Sequence, residues 1–393
     1  MARQGATLGS DLAERDRVGH IPSPMRKLIV LLALTGILAS CRQDPRPIQL
    51  GLVLTLADSG VAPMLRGARL AVSEINRAGG VRGRPLSLDV RDDFGDPDSA
   101  VRVAGDLYRS DVVAVIGSAY SAPTLAAAPV YNGGRRPLIQ ISPSASVPDL
   151  SDAGDYTFRT CPTDLEYGAA LARWAHDRLG LSRAAILYVN DDYGRGFRLN
   201  FVREFERLGG VATVVAPFLA SDPDINAYLI RLQARHDADV LVLGANLTEG
   251  LVALQQIRAS GLKLPVLAGD GFVGVETRGD VAEGLYVSTA YLVGSKRMAN
   301  RRFVNAYRHE YPSAPPPDQG AASTYDVVRL LAKSIQQAGA DRDRIRSVIA
   351  GTGTRTPPFD AAIGPISFDS HGDVPSLGAR IGVVRHGELE PAE

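Results

Sequence analysis

The sequence predicts an α/β protein built as two doubly wound lobes. From Ile48 onward, short β-branched runs alternate with longer helical segments, the pattern of parallel sheets flanked by helices. The same alternation restarts near Asp164, and a chain of 393 residues exceeds what one hydrophobic core usually serves.

Residues 48–56 (IQLGLVLTL) read as a buried strand. Leu65, Ala68, Val72 and Ile75 then share one helical face, and Gly79-Gly80 supplies the stop. Leu86, Leu88 and Val90 alternate as the second strand. In RDDFGDPDSA (91–100), Asp96-Pro97 reads as the cap and first turn of a helix, with Asp92 and Asp93 closing the strand; a metal or acid–base site there is the alternative. VVAVIG (112–117) and PLIQIS (137–142) are strands three and four, with a helix between them that Ser121 caps and Pro123 starts. The second lobe follows with a helix from about Asp164, the strand 184–190, a helix after Gly196, and strands 210–218, 238–245 and 265–269 separated by helices. GLYVSTAYL after Gly284 reads as a strand, followed by helices near 298–310 and 321–339 and short strands near 366–369 and 379–385. The four prolines between Tyr311 and Pro317 mark a turn rather than a linker.

Ahead of the lobes, Met25-Arg26-Lys27 precedes an apolar run, Leu28 to Leu38, that closes on Leu38-Ala39-Ser40-Cys41. A charged start, a short apolar stretch and a small-residue exit make a secretory signal, too short to cross a bilayer comfortably. The cysteine at the exit predicts cleavage before Cys41 and its lipidation; an ordinary signal with an incidental cysteine, or an uncleaved anchor, are the alternatives. The acidic residues Asp11, Glu14 and Asp16 suit no signal start, which points to Met25 as the true beginning.

Lys+Arg and Asp+Glu number 43 each, so no global basic field exists to hold nucleic acid or an acidic membrane surface. With Cys41 lipidated, Cys161 has no disulfide partner and reads as a packed or hinge-region thiol rather than a nucleophile. An enzyme reading finds little support. There is no phosphate loop, no GxGxxG and no GxSxG elbow, and Gly194-Arg195-Gly196 is a fragment only. The six histidines, His20, His176, His236, His309, His371 and His386, lie apart, so neither a metal nor a cofactor is implied. What stands out is hydroxyl placement. Ser118 and Ser121 follow strand three, and Ser142, Ser144 and Ser146 follow strand four, at the carboxyl ends where open α/β sheets bind ligands. Free N–H groups at a helix start beside a serine suit a small carboxylate, although such serines also serve as turn and cap residues.

Several landmarks occur together in order: RGARLAVSEINRAGGVRGRPL (66–86), RDDFGDPDSA (91–100), VIGSAYSAPT (115–124), ISPSASVPDL (141–150), FRTCPTD (158–164), NDDYGRG (190–196) and GPISFDSHGD (364–373). From about Ile48 to about Val384 the chain resembles the type I solute-binding proteins, in the leucine/isoleucine/valine-binding branch that feeds ABC importers. The resemblance implies two Rossmann-like lobes joined by three hinge crossovers and closing on ligand like a clamp. It divides the chain into a signal region (1–40), a lipidated linker (41–47), a first lobe (48–160 plus 288–366) and a second lobe (161–287 plus 367–393).

By the same resemblance, Ser121 and the Ser144 backbone hold a ligand α-carboxylate, and Ser146 lies between carboxylate and ammonium. Asp270 of AGDG pairs with the ammonium, and Tyr193 covers the ligand from the second lobe. An ionised carboxylate accepts only, which suits an ammonium, while serine hydroxyls serve either charge; Asp270 as a plain turn residue before Gly271 is the alternative. Departures concern the ligand's side chain: ADSG (57–60) offers Ser59-Gly60 where some relatives place an aromatic, Ala245-Asn246 stands near a relative's tyrosine, and Tyr120 compensates. They leave amino acids, amides and urea-like ligands all open. The expected partners are a small-molecule ligand, an inner-membrane ABC permease and the membrane that holds the lipid, with no nucleic acid. A ligand sensor acting on a receptor is the second functional class.

Overall fold

The structure is a computed structural model that describes residues 46–392. The signal region, Met25, His20 and Cys41 lie outside the described residues.

Two sheets organise the chain. In the first lobe β1 (Ile48–Leu54), β2 (Leu86–Asp92), β3 (Ala114–Ile116), β4 (Ile139–Ser142) and β5 (Thr157–Arg159) pair in parallel in the order 2-1-3-4-5. In the second, β6 (Arg183–Val189), β7 (Val211–Phe218), β8 (Val240–Gly244), β9 (Val266–Ala268) and β10 (Tyr286–Thr289) repeat that winding, in the order 7-6-8-9-10. Its far edge is extended by two antiparallel strands from the C-terminal segment, Arg380–Arg385 and Glu388–Pro391. The central strands are buried on both faces, as the neighbours Leu52 and Val53 in β1 and Val242 and Leu243 in β8 show, hence their near-continuous apolar sequence.

The first lobe also carries α1 (Ala62–Arg77), α2 (Pro97–Arg109), α3 (Ser121–Asn132), and later in the chain α8 (Met298–Glu310), α9 (Gln319–Ala338) and α10 (Arg342–Ala350). The second carries α4 (Asp164–Arg173), α5 (Asp192–Arg207), α6 (Asn226–Arg235) and α7 (Leu247–Ala259). Helices α1 and α9 meet at Gly67, where a Cβ would strike the Ala321 carbonyl, so only glycine admits this approach. Asp96 caps α2 by accepting from Ser99 N–H at 2.8 Å, as its Asp-Pro start predicts.

Some expectations shift. α3 begins at Ser121 with extended Tyr120 as its cap residue, so Ser121 is the first helical residue and caps nothing. α5 begins at Asp192, not after Gly196, because Asp191 accepts from Gly194 N–H at 2.8 Å. The expected lobe limits at 287/288 and 366/367 also move. All of β10 lies in the second sheet, so the chain returns only after Thr289, and Phe368, Val374 and Leu377 pack in the first lobe's core. The third crossing therefore follows Leu377, because Phe368 sets its ring edge-on against Phe158 at 5.2 Å and keeps the segment in place. The charge-rich α10 went unpredicted; two buried residues, Ile345 and Ile349, and an Asp341 cap hold it.

Candidate functional site

Both lobes present the carboxyl ends of their strands to one cleft, at the points where each strand order reverses, between β1 and β3 and between β6 and β8. The cleft holds about 620 Å³ of space, counted with its open mouth. All seven residues singled out from the sequence line it: Tyr120, Ser121, Ser144 and Ser146 from the first lobe, Tyr193, Asn246 and Asp270 from the second.

The first-lobe wall depends on the loop 142–151. Ser142 Oγ donates to the Ser118 carbonyl at 3.2 Å and accepts from Ala145 N–H at 2.9 Å, while Ser144 Oγ donates to the Ala119 carbonyl at 2.5 Å. These bonds tie the loops after β3 and β4 together, and the Ser144 amide, 3.4 Å from Ser142 Oγ, is only weakly engaged. Beneath the loop lies the fully buried Arg159. It donates to the Val147 carbonyl at 2.8 Å and to Ser151 Oγ at 2.6 Å, and pairs with Asp373 at 2.5 Å. Cys161 packs on the same loop, its sulfur 3.5 Å from the Ala145 carbonyl, and burial pushes its thiol pKa up, which leaves it inert.

The second-lobe wall centres on Asp270, at the start of a short 3₁₀ turn after β9. Tyr193 hydroxyl donates to Asp270 Oδ1 at 3.1 Å and accepts from Gly271 N–H at 2.9 Å. Tyr193 is thus a brace for Asp270 as well as a wall of the cleft, beyond the cover expected of it. Asn246 spends its side-chain oxygen capping α7 in a reciprocal box with Glu249, and its backbone N–H donates to Glu249 Oε1 at 2.9 Å. Across the cleft Tyr120 donates to Asp58 at 2.6 Å, and burial together with that carboxylate pushes its pKa up.

Behind Ser146 stands a residue that sequence reasoning passed over. Asp164 opens α4, is wholly buried, and has no hydrogen-bond partner on either carboxylate oxygen. A Cβ on Gly196 would come within 2.6 Å of Asp164 Oδ2, so the glycine makes room for the carboxylate. The Ser146 hydroxyl, itself buried and without a partner, lies close enough to Asp164 and Asp270 to lower both pKa values somewhat. Burial acts more strongly in the other direction and raises both; Asp270's charge adds to the rise at Asp164. Two buried carboxylates around one hydroxyl make a strong seat for a cation. A capping-type Asp at a helix start was the only sequence signal for Asp164.

Apart from Gly60, already noted in the ADSG loop, the remaining lining was also missed. Gly60, Val61 and Met64 come from the start of α1, Leu247 and Val273 from the second lobe, and Asp318, Gln319 and Gly320 from the start of α9. Asp318 caps α9 through Ala321 N–H at 2.8 Å, and burial lifts its pKa to about 6. Gln319 is spent within the fold, accepting from Ala290 N–H at 2.6 Å and donating to Tyr167 at 3.0 Å.

Asp92 and Asp93 stay outside the cleft. Asp93 accepts from Thr55 Oγ1 at 2.8 Å and Asp92 from Leu56 and Phe94 N–H, so both shape the turn after β2. Among the described residues no cluster of three or more acidic, histidine or cysteine side chains is placed to hold a metal, and no helix is long and apolar enough to cross a membrane.

A polar cleft between two α/β lobes, at their switch points, is where such a fold takes a small ligand. Residues 47–388 match the family model for the periplasmic binding proteins, and the chain belongs to that family. Leu/Ile/Val-binding protein homolog 1 of Brucella abortus is 27% identical over 319 residues, covering 79% of this chain and 82% of the relative. The leucine-, isoleucine-, valine-, threonine-, and alanine-binding protein of Pseudomonas aeruginosa is 28% identical over 313 residues, covering 78% and 81%. Among solved structures, the branched-chain amino acid transporter substrate binding protein LivJ of Streptococcus pneumoniae, in complex with isoleucine, superposes with a TM-score of 0.79. It is 27% identical, over 88% of this chain and 99% of that one.

Proposed function

We propose that this protein captures a small zwitterion, an amino acid or a closely related amide, in the interlobe cleft and delivers it to an ABC permease in the inner membrane. The observation that carries this reading is the opposition of Ser121 and Ser146 on one lobe to the buried Asp270 on the other. The ammonium sits against Asp270 and the Ser146 hydroxyl, with Asp164 behind. The carboxylate meets Ser121 and the free N–H groups that open α3, at the positive end of its dipole. The side chain points toward Val61, Met64, Leu247 and Val273, an apolar wall that Gly60 and Gly320 keep wide and Asp318 makes partly polar. Relatives named for leucine, isoleucine and valine support an α-amino acid. No bond is broken; binding energy closes the clamp. Cleavage before Cys41 and its acylation hold the exported protein at the membrane surface.

Thermal melting of residues 42–393 against amino acids, amides and ureas tests the reading, because a ligand bound only by the folded state raises the melting temperature. One saturable shift, lost in Asp270→Ala while the apo fold persists, is expected. No shift across the panel would overturn the zwitterion assignment.

A further inference from the structure

The balanced charge of the chain conceals a segregated surface. At the amino ends of β1 and β3, on the side of the first lobe opposite the cleft, Arg46, Arg84, Arg109, Arg135, Arg136 and Arg342 border one open depression. Among the described residues Asp111 is the one acid in its lining, with Asp106 paired to Arg109 and Asp341 next to Arg342 in sequence. Among the described residues only Arg109 of these six is ion-paired, to Asp106 at 2.8 Å. Arg342 is held in place by backbone carbonyls, donating to those of Val112 at 2.8 Å and Ser110 at 3.1 Å, and Arg84 is held likewise by the Arg46 carbonyl at 2.8 Å. Their charges are thus positioned but not neutralised, while Arg46, Arg135 and Arg136 are exposed.

We propose that this arginine-rich base docks on anionic phospholipid headgroups between deliveries, a state in which the cleft faces away from the bilayer and which the protein leaves to reach the permease. The charge pattern stands by itself; the place of the membrane rests on the lipid-anchor reading above. Arg46 lies in the patch and follows Cys41 by five residues of sequence, so an acyl chain on that cysteine tethers this face close to the headgroups. Guanidinium groups pair with phosphate oxygens bidentately, and clustered basic residues near an anionic leaflet attract it additively. Composition argued against a membrane-binding field; the fold creates one by gathering arginines from five separate stretches of sequence.

The test is vesicle co-sedimentation of residues 42–393, which lack the lipidated cysteine, with phosphatidylcholine vesicles and with vesicles containing phosphatidylglycerol. Association with the anionic vesicles alone, weakening as salt rises, is expected. Each basic residue near the surface contributes roughly fivefold in affinity, so Arg135→Glu with Arg136→Glu reduces binding by at least about 25-fold. These exposed positions leave the melting temperature and any amino-acid shift unchanged. Equal binding to both vesicle types, no binding, or binding indifferent to the double variant overturns the proposal. So does a melting shift with inorganic phosphate without vesicle association, which reassigns the patch to a soluble anion. Vesicle binding in a protein that responds to no amino acid would remove the cleft reading and leave this one standing.

Discussion

At Asp164, Ser146 and Asp270 the chain concentrates charge that the fold leaves uncompensated. A carboxylate removed from water without partners is costly, so the ligand-free protein favours a protonated form of this pair. Both pKa values are raised in the folded state. The sign follows: the folded protein keeps protons that the unfolded chain releases above about pH 4, so their stabilising contribution is present at low pH and is lost as pH rises through the raised folded values. Asp164→Asn should therefore flatten the fall in apo melting temperature between pH 5 and 8; a slope equal to wild type would show that Asp164 carries no such proton. Arg159 and Asp191 also face this cluster and set its background field. Arg159→Met tests the support of the serine loop. Removing one side of a buried pair costs about 3–5 kcal/mol, readable as a lower urea midpoint. Were the loss below about 1 kcal/mol, the loop would be held by its serines alone.

The elements place these residues through contacts that are tight but local. Gly67 lets α1 and α9 touch, and the cleft residues Met64 and Gly320 lie at the starts of those two helices. Gly67→Ala forces a methyl against the Ala321 backbone and should cost about 1–3 kcal/mol, and it should weaken ligand binding by splaying the apolar wall. A variant with wild-type stability and affinity would show that the helices relax freely. At α2 the Asp96 cap lies far from the cleft, so Asp96→Ala should cost about 1 kcal/mol in stability and leave the ligand-induced melting shift intact. At this scale the sequence was readable. Strand alternation, the Gly79-Gly80 stop and the Asp-Pro helix start all mark their elements, since each rests on neighbours along the chain. Helix starts at Ser121 and Asp192 were misjudged because capping depends on one backbone torsion, which several nearby polar residues could satisfy.

As a whole the molecule is two lobes joined by crossings near 160–163, after Thr289 and after Leu377, a connection that would let them close as a clamp. A ligand that touches both walls favours the closed state by its differential affinity for it. Small-angle scattering should show a smaller radius of gyration on adding the amino acid that shifts the melt, and the melt itself should rise by the equivalent of about 2.7 kcal/mol at a hundredfold excess over Kd. An unchanged radius with a full melting shift would mean that the empty protein is already closed.

The sequence by itself determined the repeated α/β winding and the serine loops at the strand ends, because periodicity and strand-end position are local properties, while Tyr193 and Asp270 became cleft candidates through the family resemblance alone. The tertiary structure alone decided that Asp164 stands behind Ser146, that Arg159 supports the serine loop, that Asp318 and Gly320 reach the cleft, and that arginines spread from residue 46 to residue 342 form one face. Each of these depends on chain segments brought together from far apart, and burial, which sets the energy of a charge, exists only once they have met.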